Sequence, residues 1–209
     1  MIQILLKDIR SMGELPLEKP GWVEEKRWNG IQKMKTEADK KRSLASAYLL
    51  GAMCGDLGIY NPVYGYTKKG KPFLIDVECA FNISHSGDYV ALGYHTSTEP
   101  VGVDIQKVRV MRDGMERRIL HEKEKTLLSE NAKNCRYYLN RLWTIKESFV
   151  KMTGEGLSRD FRTVSVDFKN GTVTTEDGIR TNFSIWEWED DYFLSVCSKR
   201  KEECVINKI

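Results

Sequence analysis

Hydrophobic side chains recur at steps of three and four residues along segment 142–152 of the chain. The apolar positions of this row are Leu142, Ile145, Phe149 and Met152. Such spacing predicts a helix that turns one face to a core. A neighbouring row, about 100° round the helix, carries Trp143, Glu147 and Lys151. The two charges should therefore lie at the edge of the buried face, and a surface Glu–Lys pair of little energetic weight is the alternative interpretation.

The rest of the chain alternates between helical and strand-like patterns. Helical periodicity covers residues 19–41, 43–54, 115–129 and 136–153. Strand-like patterns cover residues 1–9, 81–84, 89–95 and 101–105, and a closing group of strands contains a predicted hairpin turn at Asn170-Gly171. These alternating blocks favour an α+β fold.

An internal repeat divides the chain into two similar parts. The segment DYVALGY begins at residue 88 and the similar segment DYFLSVC begins at residue 191. The apolar helix predicted from residue 43 and the helix that carries WTIKESFVK are separated by nearly the same interval, about 100 residues. We therefore predict a pseudo-twofold pair of similar α+β subdomains, residues 1–99 and 100–209, packed around a shared cleft. Shared β-propensity is the alternative explanation of the two matching strands.

Composition and charge narrow the class of protein. A hydrophobic content of 41% in 209 residues is sufficient for a real core, and 33 basic against 30 acidic residues give a net charge of only +3. This weak basic excess does not indicate nucleic-acid binding. The five cysteines form no C-x-x-C pair and follow no signal peptide, so we expect reduced thiols and a cytoplasmic location. The longest uncharged run, residues 43–55, is too short to cross a bilayer, so we expect no membrane association.

The segment PVGVDIQKV places Asp104 in an apolar strand, where a carboxylate is costly to bury without a counter-charge or a metal. Gln106 lies two residues further along and should project from the same face. Glu147 could supply a third oxygen. Because Mg²⁺ prefers hard oxygen ligands and shares them with substrate phosphates, these three residues predict a magnesium site. The alternative is that Asp104 caps the turn that follows its strand.

Four ordered segments resemble the motifs of a known family. GVDIQKV is followed about forty residues later by WTIKESFVKMTGEGL, and KPFL and FNISHSGDYVALGY precede both. In this order they resemble 4′-phosphopantetheinyl transferases of the two-lobed type that activates peptide synthetases. The resemblance spans residues 42–157. It implies transfer of the phosphopantetheine arm of coenzyme A to a serine of an acyl or peptidyl carrier protein, with release of adenosine 3′,5′-bisphosphate.

The resemblance also implies roles for individual residues. Asp104 and Glu147 match the family's metal-binding acids, and Lys151 matches the lysine that meets the pyrophosphate. Glu147 or a metal-held water would take the serine proton. Gln106 departs from the pattern, since many relatives carry a second acid there. A neutral amide can still ligate through its oxygen but supplies no charge, so we expect Gln106 to lie beside the metal without being essential.

Further residues match the family's contacts to coenzyme A. Arg42 and Ser43 are expected to contact phosphate, and Lys71 and Pro72 to lie along the adenine. Ser84 and His85 are expected to contact the pyrophosphate. The partial positive charge of a helix N-terminus is expected to assist Arg42 and Ser43. His85 is also expected among the catalytic residues, and a hydrogen-bonded turn histidine is the alternative. By this assignment residues 1–99 hold coenzyme A, and residues 100–209 hold the metal site, the catalytic helix and the carrier-docking surface.

The expected partner is an acidic acyl or peptidyl carrier protein. Carrier proteins present acidic helices in related systems, and residues 107–118 offer five basic side chains interleaved with Val108, Val110 and Met111. A solvated helix start is the alternative for this segment.

A magnesium-dependent pyrophosphate hydrolase and a non-catalytic binder of coenzyme A or carrier protein remain open as competing functions. Two halves in one chain predict a monomer.

Overall fold

The computed structural model describes residues 1–67, 71–130, 134–189 and 191–209. The chain divides into two compact units. The first unit comprises Met1–Thr98 together with Glu203–Ile209, and the second comprises Glu99–Glu202. The predicted boundary between residues 99 and 100 is therefore wrong for Glu203–Ile209, which belongs to the first unit. The reason is that a strand in this segment pairs with the first strand of the chain.

The first unit contains a four-stranded sheet and two helices. The sheet has the order β11-β1-β5-β4, formed by β1 (Ile2–Asp8), β4 (Ala80–Ser86), β5 (Tyr89–His95) and β11 (Cys204–Lys208). A separate hairpin consists of β2 (Tyr64–Tyr66) and β3 (Pro72–Leu74). The helices are α1 (Glu25–Gln32) and α2 (Glu37–Asp56), and the buried side of α2 forms a core with β1, β4 and β5.

Among its described residues, the second unit contains a five-stranded sheet and three α-helices. The sheet has the order β6-β10-β9-β8-β7, formed by β6 (Val101–Lys107), β7 (Val164–Asp167), β8 (Thr172–Thr175), β9 (Arg180–Trp188) and β10 (Tyr192–Ser198). The helices are α3 (Glu116–Ile119), α4 (Glu122–Glu130) and α5 (Cys135–Thr153). The predicted helix 115–129 is thus two helices. Helix α5 ends at Gly154, whose φ of 79° provides the left-handed cap that favours glycine.

The two units share one order of elements. In the first, β1 pairs antiparallel with β5, which pairs with β4, and α2 lies between β1 and β4 along the chain. In the second, β6 pairs antiparallel with β10, which pairs with β9, and α5 lies between β6 and β9. The segments DYVALGY and DYFLSVC enter the equivalent strands β5 and β10. The predicted α+β class and the internal repeat are confirmed.

Helix α5 is embedded in the core of the second unit. The four apolar positions predicted to face the core are all buried, and they are Leu142, Ile145, Phe149 and Met152. Strand β6 approaches the helix closely at Gly102, because a Cβ atom there would overlap the carbonyl oxygen of Ser148. This contact fixes the face of β6 that is turned to α5. None of the helices in the described part of the chain has the length and apolar character needed to cross a membrane.

Candidate active site

Strand β6 presents its polar side chains to helix α5. Alternation along the strand places Asp104 and Gln106 on the same face as Gly102, which touches α5. Asp104 lies opposite Ser195 of β10, in the buried centre of the sheet. The Asp104 residue is 5% exposed. A carboxylate in this position requires a counter-charge, and the facing helix provides one.

Lys151 of α5 supplies that charge. Its Nζ lies 2.6 Å from Asp104 Oδ1 and donates a hydrogen bond to it. The two residues are 47 positions apart in the chain. Asp104 thus lies within β6 and pairs with a lysine of the facing helix.

Glu147 lies one helical turn before Lys151 on the same row of α5. Its Oε1 atom is buried and has no hydrogen-bond partner among the residues that the structure describes. The pKa of Glu147 is raised to about 7, chiefly by burial and also by the negative charge of Asp104, while the positive charge of Lys151 opposes both effects. Two carboxylates and an ammonium group therefore influence one another across β6 and α5. A carboxyl group with a pKa near neutrality can accept or release a proton at physiological pH.

Gln106 completes the polar face of β6. It is 8% exposed, and its amide nitrogen donates to the backbone oxygen of Lys107 at 3.0 Å. This bond uses the nitrogen end of the amide, so the oxygen end is the part suited to a cation. Gln106 thus shares a strand face with Asp104, as the sequence predicts.

The donor set suits a hard divalent cation. Two carboxylates and one amide oxygen are ligands of the kind that Mg²⁺ takes, with water and phosphate oxygens filling its other positions. The buried Glu147 Oε1 is an acceptor for which the described residues offer no donor. Within the same residues, no group of three or more His, Cys, Asp or Glu side chains is placed to hold a metal. A magnesium ion would therefore depend on Gln106 and on oxygens from outside the chain.

Arg42 and His85 are brought near one another in the first unit. Arg42 of α2 donates to the backbone oxygen of Gly87 at 2.8 Å and forms an ion pair with Asp39 at 2.6 Å. Hydrogen bonds from Thr36 and Arg42, with a smaller electrostatic contribution from His85, lower the pKa of Asp39. Two basic side chains, Arg42 and His85, and the Asp39 carboxylate thus form a corner where the N-terminal half of α2 meets the β4–β5 turn.

The predicted link between this corner and a helix N-terminus is wrong. Helix α2 begins at Glu37, and the Thr36 side chain caps it by accepting from the Asp39 backbone N–H. Arg42 and Ser43 therefore lie in the second turn, where each backbone N–H is bonded within the helix. The basic charge there comes from side chains.

The other predicted coenzyme A residues lie on two elements of the first unit. Ser84 is buried and His85 is exposed on neighbouring positions of β4, so their side chains leave opposite faces of the strand. Lys71 and Pro72 lie at the start of β3, and Pro72 pairs with Tyr66. Burial lowers the pKa of Lys71. The structure therefore groups Arg42 with His85 and places Lys71 and Pro72 on the separate β2–β3 hairpin.

The predicted docking segment, residues 107–118, runs from β6 into α3. Asn140 of α5 holds it in place, because its amide accepts from the Arg109 N–H at 3.3 Å and donates to the Arg109 carbonyl at 2.9 Å. Val110 is 77% exposed. Val108 is buried, so its expected role as contact surface is wrong. Arg109 and Arg112 are exposed.

Trp143 forms the wall of two adjoining cavities. The first, of about 340 Å³, is lined by the docking segment and Trp143. The second, of about 480 Å³, is lined by Met115, Arg117, Arg118, Trp143, Arg159, Asp160, Phe161 and Arg162. The Trp143 ring packs edge-on against Phe161 at a centroid distance of 5.4 Å. The aromatic residue of the charged row therefore faces basic cavities.

Sequence reasoning missed one ionic contact of α5. Lys146 is fully buried and its Nζ lies 2.6 Å from Glu124 Oε2. A signal was present, because Lys146 stands four residues after Leu142 and three before Phe149, both on the core face. A lysine in that row indicates a buried partner.

Part of the chain is similar to known proteins. Residues 100–197 match the family model described as the 4′-phosphopantetheinyl transferase superfamily. Two Bacillus subtilis proteins named 4′-phosphopantetheinyl transferase, one of them ffp, are 34% and 31% identical over 64% and 68% of this chain. The 4′-phosphopantetheinyl transferase gsp of Aneurinibacillus migulanus is 33% identical over 66% of it. A crystal structure of Thermotoga maritima holo-[acyl-carrier-protein] synthase aligns with 49% of this chain and 64% of its own at 27% identity and TM-score 0.40.

The matched region contains the polar face of β6 and the charged row of α5. The three curated alignments cover 61%, 65% and 59% of the relatives. The chain thus spans about three fifths of the length of the curated relatives that it matches. Residues 100–197, which carry both features, thus match the model of the 4′-phosphopantetheinyl transferase superfamily.

Proposed function

We propose that this protein transfers the 4′-phosphopantetheine arm of coenzyme A to a serine of an apo acyl or peptidyl carrier protein. The observation that carries this proposal is the grouping of Asp104, Glu147 and Lys151 between β6 and α5. The serine oxygen would form a bond to the phosphorus that bears the pantetheine arm. The bond from that phosphorus to the bridging oxygen would break, and adenosine 3′,5′-bisphosphate would leave with that oxygen.

The residues of α5 supply the proton and charge chemistry. Glu147, whose pKa is raised to about 7, is the group that would take the serine proton. The Lys151 ammonium would offset negative charge that accumulates on the leaving pyrophosphate oxygens. Because such a displacement needs no covalent enzyme intermediate, catalysis depends on positioning and on cationic groups. The placement of these two residues on successive turns supports both roles.

Asp104, Gln106 and Glu147 are the residues that would hold a magnesium ion. When bound, the ion would neutralise charge on the diphosphate oxygens of coenzyme A. Gln106 would contribute an oxygen without a negative charge, which leaves Asp104 and Glu147 as the anionic ligands. Their donor chemistry supports the assignment.

We assign the recognition of coenzyme A in the first unit to Arg42, Ser43, Lys71, Pro72, Ser84 and His85. The corner that holds Arg42 and His85 supports contact with phosphate groups, since a guanidinium can bind phosphate through two hydrogen bonds. Proximity of His85 to this corner supports phosphate binding more than proton transfer. Lys71 and Pro72 are assigned to the adenosine part.

The partner that we propose is an acidic carrier protein. The exposed Arg109, Arg112, Val110 and the cavities beside Trp143 support docking of a surface with carboxylates and apolar side chains. We further propose a monomer, since one chain supplies both copies of the repeated unit. A cytoplasmic location is supported by five cysteines that are all free thiols.

Intact-mass analysis of apo-carriers incubated with coenzyme A tests the proposal. With magnesium, we expect the carrier to gain the mass of one phosphopantetheine group, with one equivalent of adenosine 3′,5′-bisphosphate released. A chelator should prevent both changes. Consumption of coenzyme A without a gain in carrier mass would indicate a pyrophosphate hydrolase. Binding without any reaction would indicate a non-catalytic module.

A further inference from the structure

A completely buried ion pair lies beside the charged row of α5, which consists of Trp143, Glu147 and Lys151. Lys146 Nζ and Glu124 Oε2 are 2.6 Å apart, with side-chain exposures of 0% and 1%. Neither residue takes part in the proposed chemistry. Burying two charges is costly, and an apolar pair of similar volume is often equally stable in such a position.

Every hydrogen-bonding group of the pair is used. The ammonium of Lys146 also donates to the carbonyl oxygens of Ile119 at 2.6 Å and Phe161 at 3.1 Å. Glu124 accepts from the backbone N–H groups of His121 and Val166, both at 2.9 Å. Three donors and both carboxylate oxygens are therefore satisfied. The pair joins α5 and α4 to the end of α3, to the turn at Phe161 and to strand β7.

The two carbonyl groups that bind Lys146 belong to two chain segments that line the larger cavity beside Trp143. Ile119 directly follows Arg117 and Arg118, which are exposed and line that cavity. Phe161 contacts the Trp143 ring and stands between two charged residues of the same cavity. Lys146 thus fixes both segments against one side of α5.

The charge of this wall suits an acidic partner. Four arginines and one aspartate line the cavity. Arg159 and Arg162 pair with Asp177 and Asp160 at 2.6 Å. Arg117 pairs with Glu116 at the longer distance of 3.9 Å, and both Arg117 and Arg118 are exposed beside Ile119. A shift of the Ile119 backbone would move both groups together. Positioned charges of this kind set the orientation of a docked partner.

We infer that Lys146 and Glu124 are positioning residues for carrier-protein docking: they hold the Arg117–Arg118 segment and the Phe161 turn in the geometry that receives an acidic surface. This inference rests on the proposed transferase function. It assigns to the buried pair a role that differs from stabilising the fold. The two roles make different predictions for a charge-free replacement.

The double variant Lys146→Met with Glu124→Gln separates these roles. It removes both charges, nearly keeps the side-chain volumes, and retains an amide oxygen that accepts from the Val166 N–H, while the bond from the His121 N–H is lost. We expect a melting temperature close to wild type but a KM for carrier protein raised about tenfold, because the bonds to Ile119 and Phe161 are lost. The KM for coenzyme A and kcat should stay within about twofold of wild type. The single variant Lys146→Met should melt at a lower temperature, because Glu124 keeps a buried charge.

Lys125→Met with Glu122→Gln provides the matched control. This neighbouring pair on α4 has the same 2.6 Å separation but is exposed. We expect it to change neither the melting temperature nor any kinetic constant measurably.

Hydrogen exchange of the protein without substrates provides a second measurement. Amides of residues 117–121 and 159–163 should exchange faster in the double variant, while those of residues 142–152 stay protected. Unchanged exchange in both segments would overturn the inference, as would a wild-type KM for carrier or an equal rise in both KM values. These results concern variants, whereas failure of the proposed function would appear in the wild-type protein as absence of transfer.

Discussion

Lys151 Nζ lies 2.6 Å from Asp104 Oδ1, and this ion pair joins helix α5 to strand β6. Side-chain exposures of 24% for Lys151 and 6% for Asp104 show that the pair is shielded from solvent. Glu147 is close enough for the charge of Asp104 to raise its pKa. The ammonium therefore offsets two carboxylates, which is also the task of a bound divalent cation.

Lys151→Met should destabilise the metal-free protein by roughly 1–3 kcal/mol, the cost of leaving a buried charged group without its partner. Added magnesium should raise the melting temperature more in this variant than in wild type, because the cation meets carboxylates that no ammonium has neutralised. Urea unfolding with a chelator and thermal melts with magnesium measure the two effects. Lys199→Met, which removes an exposed pair with Glu99 at 3.6 Å, is the control and should cost below about 1 kcal/mol. Equal losses in both variants would refute the prediction.

Glu147 should make the stability of the metal-free protein fall as pH rises. Its pKa is about 7 in the folded protein against 4.5 for the free side chain. Between these values the folded state binds more protons than the unfolded state, so the free energy of unfolding decreases with increasing pH. Glu147→Gln should remove this contribution. The stability of the variant minus that of wild type should therefore be larger at pH 8 than at pH 5. Urea unfolding of both proteins at the two pH values tests it, and an identical pH dependence would contradict it.

Asp104 and Gln106 should differ in importance although they share one strand face. Asp104→Ala should lower kcat by at least about 100-fold, since it removes a charged group from the reacting site. Gln106→Ala should weaken the apparent affinity for magnesium by about tenfold or less, the usual scale of a supporting ligand. Magnesium titrations of the transfer rate measure both. Equal loss of activity in the two variants would show that Gln106 is essential.

Reversal of charge in the docking segment should affect the carrier protein alone. Arg109→Glu with Arg112→Glu should raise the KM for carrier about tenfold by placing like charges against an acidic surface. The KM for coenzyme A should not change. Lys169→Glu with Arg180→Glu reverses two exposed charges that line a different cavity, at β7–β9, and should leave both KM values unchanged. Equal damage to both substrates would reject the docking assignment.

Gly102→Ala should be strongly destabilising, because its Cβ would overlap the Ser148 carbonyl oxygen and lie 2.5 Å from the Met152 backbone nitrogen. Overpacking of this kind costs about 1–3 kcal/mol or more. Gly51→Ala is the control, because an added Cβ there meets nothing within 4 Å and the substitution replaces an exposed glycine inside a helix. It should gain up to about 1 kcal/mol. Chemical unfolding compares the variants, and a neutral Gly102→Ala would contradict the close approach of β6 and α5.

Local patterns were sufficient to predict several elements. Steps of three and four residues identified the core face of α5, and alternation identified β5 within its observed bounds, Tyr89–His95. The repeat of DYVALGY and DYFLSVC identified equivalent strands. These features depend on side-chain periodicity over short distances, which a sequence displays directly. Boundaries failed where a cap decided them, as at Thr36, which starts α2 before its apolar stretch.

The sequence by itself determined the α+β class, the internal repeat and the acids and lysine of the candidate site. Tertiary structure alone decided that Lys151 pairs with Asp104, that Lys146 pairs with Glu124, and that Cys204–Lys208 joins the first unit beside β1. The physical reason is the same in each case. A buried charge or an unpaired strand edge requires a partner, but that requirement does not specify where along the chain the partner lies. Packing of the finished sheets and helices makes that choice.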